Sequence, residues 1–333
     1  MSLAQARAAH ISRKSPDTTT DTTALPSFQE VAKKWLSVKI PSLSNQKHKV
    51  QVENTLERFV YPHVGNIPID QISRQKLVDI VLKTQDGGRV ETAHRVAGRI
   101  TAVFDYAQDI GILEHHGASG LVRVLQARKT KKPMASIPPD ETGRLLALID
   151  GYDEPVTRLG LKLLSQTFVR VGELRGMRWD ELRENGSVWA VPADRMKLRI
   201  PHVIPLSKQA QSVLKELELI NGERDFVLQS PISRSSPISE NTFLFALYRL
   251  GYKGRMTAHG FRSLASTVLN EKSGFDHDVI ERQLAHKETD AVRAAYNRAQ
   301  YLPQRRDLMQ WWSDWLDQQI EFHQHASELR RQI

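Results

Sequence analysis

Cysteine is absent from all 333 residues of the chain. Disulfides, thiolate metal sites and cysteine nucleophiles are therefore excluded outright. Nowhere do eighteen apolar residues run together, so no membrane-spanning helix is readable and no membrane partner is expected. The opening stretch MSLAQARAAHISRKSPDTTT lacks the apolar block of a secretory signal, which makes the cytoplasm the expected compartment. An internal repeat, a glycine-rich phosphate loop and a carboxylate cluster with metal-ligand spacing are all missing as well. No metal site is expected.

What is present is a globular composition with a basic surplus. Hydrophobic residues make up 40% of the chain and recur with regular periodicity, which implies a packed core. The length is enough for two domains. Lys and Arg number 47 against 38 Asp and Glu, a formal charge of +9, and the isoelectric point is about 9.7. A surplus of that size suits a polyanion, because neutralising phosphates releases condensed counterions. Charge alone fits a basic protein with no nucleic-acid role equally well, so composition suggests DNA or RNA without deciding it.

Four segments are readable along the chain. Residues 1–26 end in the polar, Thr-rich run RKSPDTTTDTTALP and read as a flexible tail. Residues 27–127 read as an all-helical domain. Behind a Ser27 cap, Phe28, Val31, Ala32, Trp35 and Leu36 form an i, i+3, i+4 stripe. Further helical patterns cover about 45–61, begin at Ser73, and span 89–110 up to Gly111. Residues 128–140 form a basic linker, in which RKTKKPMASIPP sets four basic residues before three prolines. Residues 141–333 are α-rich with a small antiparallel sheet. Helices are predicted at 141–150, 156–167, 208–219, 240–250, 260–271, 278–286, 290–299 and 302–323, and strand-like runs at 187–193 and 202–207. The fold class is thus mainly α: an all-helical domain followed by an α+β domain.

Four stretches of the second domain carry residues with chemical potential. In TFVRVGELRGMRWDEL (167–182), Arg170 and Glu173 stand three apart and can pair, although such pairs are common on surfaces. In ADRMKLRIPHVIPLS (193–207), Lys197 lies between the two predicted strands, flanked by Arg195 and Arg199, and solvated side chains are the ordinary alternative. In MTAHGFRSLASTVLNE (256–271), His259 and Arg262 open a helix that Thr257 can cap, at the positive end of its dipole. A purely structural histidine would look the same. QLAHKETDAVRAAYNRAQY (283–301) adds His286 and Tyr296, the latter unremarkable by itself in an amphipathic helix.

Arg, Lys, His, Arg, His and Tyr in this order resemble the tyrosine recombinase family, which includes the lambda-type phage integrases. The likeness extends over residues 26–323, and TFVRVGELRGMRW, ADRMKLRIPHVIPLS, QLAHK and AAYNRA are similar to runs in integrases of prophages and genomic islands. The resemblance implies catalytic roles for Arg170, Lys197, His259, Arg262, His286 and Tyr296, with Glu173 in support. It implies a site-specific recombinase that cleaves and rejoins DNA through a 3′-phosphotyrosine, integrating or excising a mobile element. A tyrosine hydroxyl has a pKa near 10, so about one in a thousand is ionised at neutral pH. It must lose its proton during attack, and His259 is the candidate acceptor. Planar guanidinium forks suit the non-bridging oxygens, and removing one preorganised donor typically costs about 3–4 kcal/mol of transition-state stabilisation. Lys197 is the family's general acid for the leaving 5′-oxygen. No cofactor is implied.

The implied partners are double-stranded DNA attachment sites and further copies of the chain, a tetramer on DNA, with an excisionase or a host DNA-bending factor as accessory. The compartment becomes the bacterial cytoplasm, with nucleoid association when bound. Lys129, Lys131 and Lys132 in the linker, Arg195 and Arg199 beside Lys197, and Arg95 and Arg99 in the helical domain are candidate DNA contacts. The amphipathic terminal segment 302–333, with Trp311, Trp312 and Trp315, packs on its own domain or, as in the family, links protomers.

Two departures stand out. Many relatives have glycine two residues before the first arginine, where this chain has Phe168. SLAQARA resembles only the end of the arm-binding domain with which such integrases begin. Tyr301 is a rival nucleophile by position. A type IB topoisomerase-like nicking-closing enzyme, or a DNA-binding protein without catalysis, are the alternative readings; a metal-dependent nuclease lacks its carboxylates.

Overall fold

In the computed structural model, which describes residues 25–42, 46–128, 134–196, 199–286 and 300–331, Ser27 and Glu30 open the first helix by capping each other. The Ser27 N–H donates to Glu30 Oε2 at 2.8 Å, and the Glu30 N–H donates to Ser27 Oγ at 3.3 Å. Two otherwise orphaned donors are thereby satisfied. Helix α1 (Phe28–Ser42) follows, then α2 (Gln46–Phe59), the short α3 (Tyr61–Val64), α4 (Arg74–Asp86) and α5 (Val90–Asp109). Ser73 caps α4 as its position predicts, accepting from the Lys76 N–H at 3.3 Å. The stripe of Phe28, Val31, Ala32, Trp35 and Leu36 is buried throughout. It meets α5, whose Ala93, Val96, Ala97, Ile100, Val103, Phe104 and Ala107 form one continuous inward face. The Phe28 and Phe104 rings lie 5.8 Å apart at the centre. Burying each of these large side chains contributes about 1.5–3 kcal/mol. Gly111, at φ +77°, takes the left-handed turn that ends the α5 region.

The chain divides into two units, Met1–Lys131 and Lys132–Ile333. The second contains α6 (Thr142–Asp150), α7 (Pro155–Thr167), α8 (Val171–Arg175), a three-stranded antiparallel sheet, α9 (Lys208–Asn221), α10 (Thr242–Arg249), α11 (Gly260–Lys272), α12 (His277–Gln283) and α13 (Leu302–Arg331). Strand β2 (Val188–Val191) pairs with β3 (His202–Pro205), Trp189 facing Ile204 and Val191 facing His202. Both fall inside the predicted runs. A third strand, β1 (Leu182–Arg183), pairs with β2 and escaped the sequence reading because two residues carry no period. The core gathers Leu161, Leu164, Phe168, Trp189, Phe243, Phe261 and Trp312.

Helix α13 runs on to Arg331, beyond the expected end at 323, since no proline or glycine follows Pro303 within it. It packs along α6, α7, α9, α12 and β3 of its own unit. Its own Trp312 and Trp315 stack at 5.1 Å, and the Trp312 indole N–H donates to the Ser165 carbonyl at 2.8 Å. The helix predicted at 278–286 is α12, which ends earlier, at Gln283. The helix predicted at 290–299 lies outside the described residues.

The α6–α13 contact depends on Gly143, where an added Cβ would overlap the main-chain carbonyl of Gln319 and crowd His323. Backbone cannot yield as a side-chain tip does. Gly143→Ala should therefore destabilise the second unit by about 2 kcal/mol, lowering its Tm by about 4–8 °C in a thermal melt. An unchanged Tm would show that the two helices separate without cost.

Candidate active site

The early end of α12 creates the site. Asp276 caps the start of this helix, its Oδ1 accepting from the Asp278 N–H at 2.8 Å. At the other end Ala285 adopts φ +46°, a left-handed conformation unusual for a residue with a Cβ. The last carbonyls of a helix lack intrahelical partners and carry the negative end of its dipole. Here three successive ones are taken by basic side chains from three different elements. His202, from β3, donates through Nε2 to the Gln283 carbonyl at 3.2 Å. Arg262, from the first turn of α11, donates to the Leu284 carbonyl. Arg170, at the start of α8, donates to the Ala285 carbonyl at 3.2 Å. The fourth residue, His286, donates from Nδ1 to Glu281 Oε2 at 2.8 Å.

Glu173 fixes Arg170 twice. Its Oε1 accepts from the guanidinium at 2.8 Å and its Oε2 from the Arg170 backbone N–H at 3.2 Å. The i, i+3 pair read from sequence is thus a buried brace, with Glu173 only 5% exposed. Removing the carboxylate from such a pair strands a charge and costs several kcal/mol. Arg262, 6% exposed, also donates to the Phe168 carbonyl at 3.3 Å. Phe168 caps the end of α7 at φ +40°, a conformation that favours glycine. Its ring is fully buried edge-on against Trp312 at 5.8 Å, and that packing offsets the backbone strain.

The electrostatics follow from the crowding of cations. Burial, then the Arg170 charge, pushes the Arg262 guanidinium down to about 10, which leaves it charged at neutral pH. His259 stands exposed beside the cluster at the start of α11, where Thr257 Oγ1 accepts from the Gly260 N–H at 3.1 Å. Burial, then the charges of Arg262, Arg170 and His286, holds its imidazole below the usual histidine range. The shift favours the neutral imidazole, the form able to accept a proton. His202 is driven down to about 3, first by burial and then by the charge of Arg305.

Arg170, Glu173, His259, Arg262 and His286 accordingly come together, from positions 116 residues apart in the chain. Lys197, Tyr296, Lys129, Lys131 and Lys132 lie outside the described residues. Arg195, a candidate DNA contact, has protein partners of its own. Its guanidinium is committed to the Glu181 carboxylate and the Glu173 carbonyl, so it supports the turn that carries Glu173. Arg199 is exposed at φ +56° and reaches the Asp194 carbonyl at 3.4 Å. In the first unit Arg95 pairs with Glu91 at 3.6 Å, and Arg99, one turn on, donates to the Gln51 carbonyl at 3.0 Å. The sequence reading missed His202, Glu281, Gln283 and Arg305. Only His202 left a signal, as an inward-facing position of a strand. Among the described residues no cluster of three His, Asp or Glu side chains is placed to hold a metal ion, and no helix is long and apolar enough to cross a membrane.

This chain belongs to the phage integrase family, the lambda-type tyrosine recombinases: residues 28–123 match the phage integrase central domain and residues 135–302 the phage integrase family domain. Prophage integrase IntA of Escherichia coli (strain K12) is 38% identical over 288 residues, covering 86% of this chain and 69% of that protein. The integrase of Enterobacteria phage P4 is 34% identical over 310 residues, covering 87% and 69%. A lambda integrase tetramer bound to a Holliday junction shares the fold with a TM-score of 0.63 at 17% identity, over 86% of this chain and 87% of that one. The Tn1549 transposon integrase in complex with circular intermediate DNA gives 0.59 at 14% identity, over 85% and 99%.

His202 also sets an acid limit on stability. Its folded pKa lies below the unfolded value of 6.5, so the unfolded chain binds the proton more tightly. Stability from this residue is fully present above pH 6.5 and falls by roughly 1.4 kcal/mol per unit as pH drops from there toward 3. Urea unfolding of wild type and His202→Gln at pH 7, 6 and 5 should show a shallower decline in the variant. Parallel declines would contradict this assignment.

Proposed function

We propose that this recombinase cleaves and rejoins DNA at attachment sites through a covalent 3′-phosphotyrosine on Tyr296, integrating or excising a mobile element. The observation that carries the reading is the convergence of Arg170 and Arg262 on adjacent carbonyls, with His259 and His286 beside them. Each guanidinium is fixed by protein acceptors on one side and keeps further N–H donors for a phosphate. Such preorganised donors stabilise the charge that builds on the non-bridging oxygens of a pentavalent phosphorus.

In the proposed step the Tyr296 oxygen bonds to phosphorus while the bond to the 5′-oxygen breaks. The tyrosine proton passes to His259 and the leaving oxygen takes a proton from Lys197. His286 donates a further hydrogen bond. One phosphodiester replaces another, so the reverse attack by a 5′-hydroxyl reseals the strand without ATP. Double-stranded DNA is the proposed partner, and the solved tetramer of lambda integrase on a junction supports assembly of four copies here. Phosphate contacts from the basic residues Arg95 and Arg99 would position the duplex without specifying its sequence.

Incubated with nicked duplex DNA in the presence of a chelator, the wild-type chain should form a detergent-resistant adduct. Tyr296→Phe should form none, and Arg170→Ala should slow it about 10²–10³-fold. Loss of the adduct on chelation would contradict the mechanism. Two labelled duplexes should further yield four-way junctions; relaxation of supercoils without junctions would identify a topoisomerase-like enzyme instead.

The pH dependence of kcat/KM reports on the free enzyme. Because the His259 pKa is held below 6.5, the acid limb of this profile should lie below pH 6.5. An acid limb above that value would remove His259 as the proton acceptor.

A further inference from the structure

Arg305 is the least expected side chain of the second unit. It sits in the first turn of α13, is 0% exposed, and pairs with no carboxylate among the described residues. A buried charge without a counter-ion is costly, and an apolar side chain of similar volume would often serve packing as well. What Arg305 does have is a set of oxygen acceptors from three places. Its Nε donates to Gln283 Oε1 at 2.8 Å, one terminal nitrogen donates to the Gln300 carbonyl at 3.3 Å, and the other donates to the Val203 carbonyl.

Each acceptor adjoins the candidate active site. Gln283 is the first residue of the stretch whose carbonyls hold His202, Arg262 and Arg170. It is 2% exposed, and its backbone oxygen is held by His202 while its side-chain oxygen is held by Arg305. Val203 follows His202 in β3. Gln300 comes four residues after Tyr296 in the chain. The Gln283 amide nitrogen has no hydrogen-bond partner among the described residues, and among them Arg305 is the side chain that holds the Gln283 amide group by a hydrogen bond.

We propose that Arg305 is a positioning residue for DNA cleavage: through Gln283 it holds the 284–286 backbone on which Arg262 and Arg170 rest, and it ties that backbone to β3. The proposal rests on the function proposed above. Arg305 touches no substrate; it fixes where the two phosphate-facing guanidinium groups sit. Misplacing catalytic groups by about 1 Å can cost 10²-fold in rate.

The test uses the full chain, supercoiled plasmid DNA, a chelator and a detergent trap, with DNA affinity and Tm measured in parallel. Three variants are compared: Arg305→Lys, Gln283→Met, and Arg305→Lys combined with Gln283→Glu, which offers the shorter cation a carboxylate. At saturating DNA, Arg305→Lys and Gln283→Met should each lower the rate of adduct formation about 10²-fold while leaving DNA affinity unchanged. The double variant should recover most of the loss. A merely structural role would instead reduce Tm and the amount of active protein, with a wild-type rate per folded molecule, and that result overturns the proposal. Amide hydrogen exchange separates this failure from a failure of the proposed function. Exchange at 284–286 should quicken in Arg305→Lys while the core helix α7 stays protected, whether or not the wild type forms an adduct. Unchanged exchange at 284–286 overturns the proposal by itself.

Discussion

The hydrogen bonds between three basic side chains and the carbonyls of residues 283–285 are the interaction on which the second unit is organised. They exist because α12 stops at Gln283 and Ala285 turns left-handed, which faces those oxygens toward β3, α8 and α11. A helix end would ordinarily be satisfied by water or by a glycine-based cap. Here the cap is made of two arginines and an uncharged histidine, so one set of bonds both ends the helix and aims the guanidinium groups. Folding and preparation of the site are the same event.

The arrangement carries a cost in local strain and in buried charge. Phe168 and Ala285 both hold positive φ, and both lend their carbonyls to an arginine, Arg262 and Arg170 respectively. Residues in such conformations persist only where their surroundings over-determine them. For Phe168 the surroundings are Trp312 and the core below it. The long C-terminal helix is thus coupled to the site at two points, through Trp312 beneath Phe168 and through Arg305 beneath Gln283.

Much of this was legible in the sequence, for identifiable reasons. Ser27 and Glu30 stand at capping-box spacing, and Phe28 to Leu36 follow a helical period, so α1 could be read directly. The pairing of Arg170 with Glu173 follows from three-residue spacing, although its burial does not. The ordered arginines, histidines and tyrosine pointed to the family, which the comparisons bear out. Other features have no local signature. Propensity gives no reason for Ala285 to leave the helix, and Glu281 and His286, five apart, meet only because it does. Arg305 reads as one more exposed charge on an amphipathic helix, and Arg195 as one more basic residue near a turn. Tertiary acceptors decide both.

The central claim is that the braced pair of arginines presents a DNA phosphate to Tyr296. Its most direct test is to trap the chain on nicked duplex DNA without metal, digest with trypsin and nuclease, and identify the nucleotide-bearing peptide by mass spectrometry. Trypsin separates the two candidate tyrosines, since Tyr296 falls in AAYNR (294–298) and Tyr301 in AQYLPQR (299–305). The phosphonucleotide should appear on AAYNR, and form about 10²–10³-fold more slowly when Arg170 is replaced by alanine. Finding it on AQYLPQR, or finding undiminished labelling without Arg170, would contradict the claim.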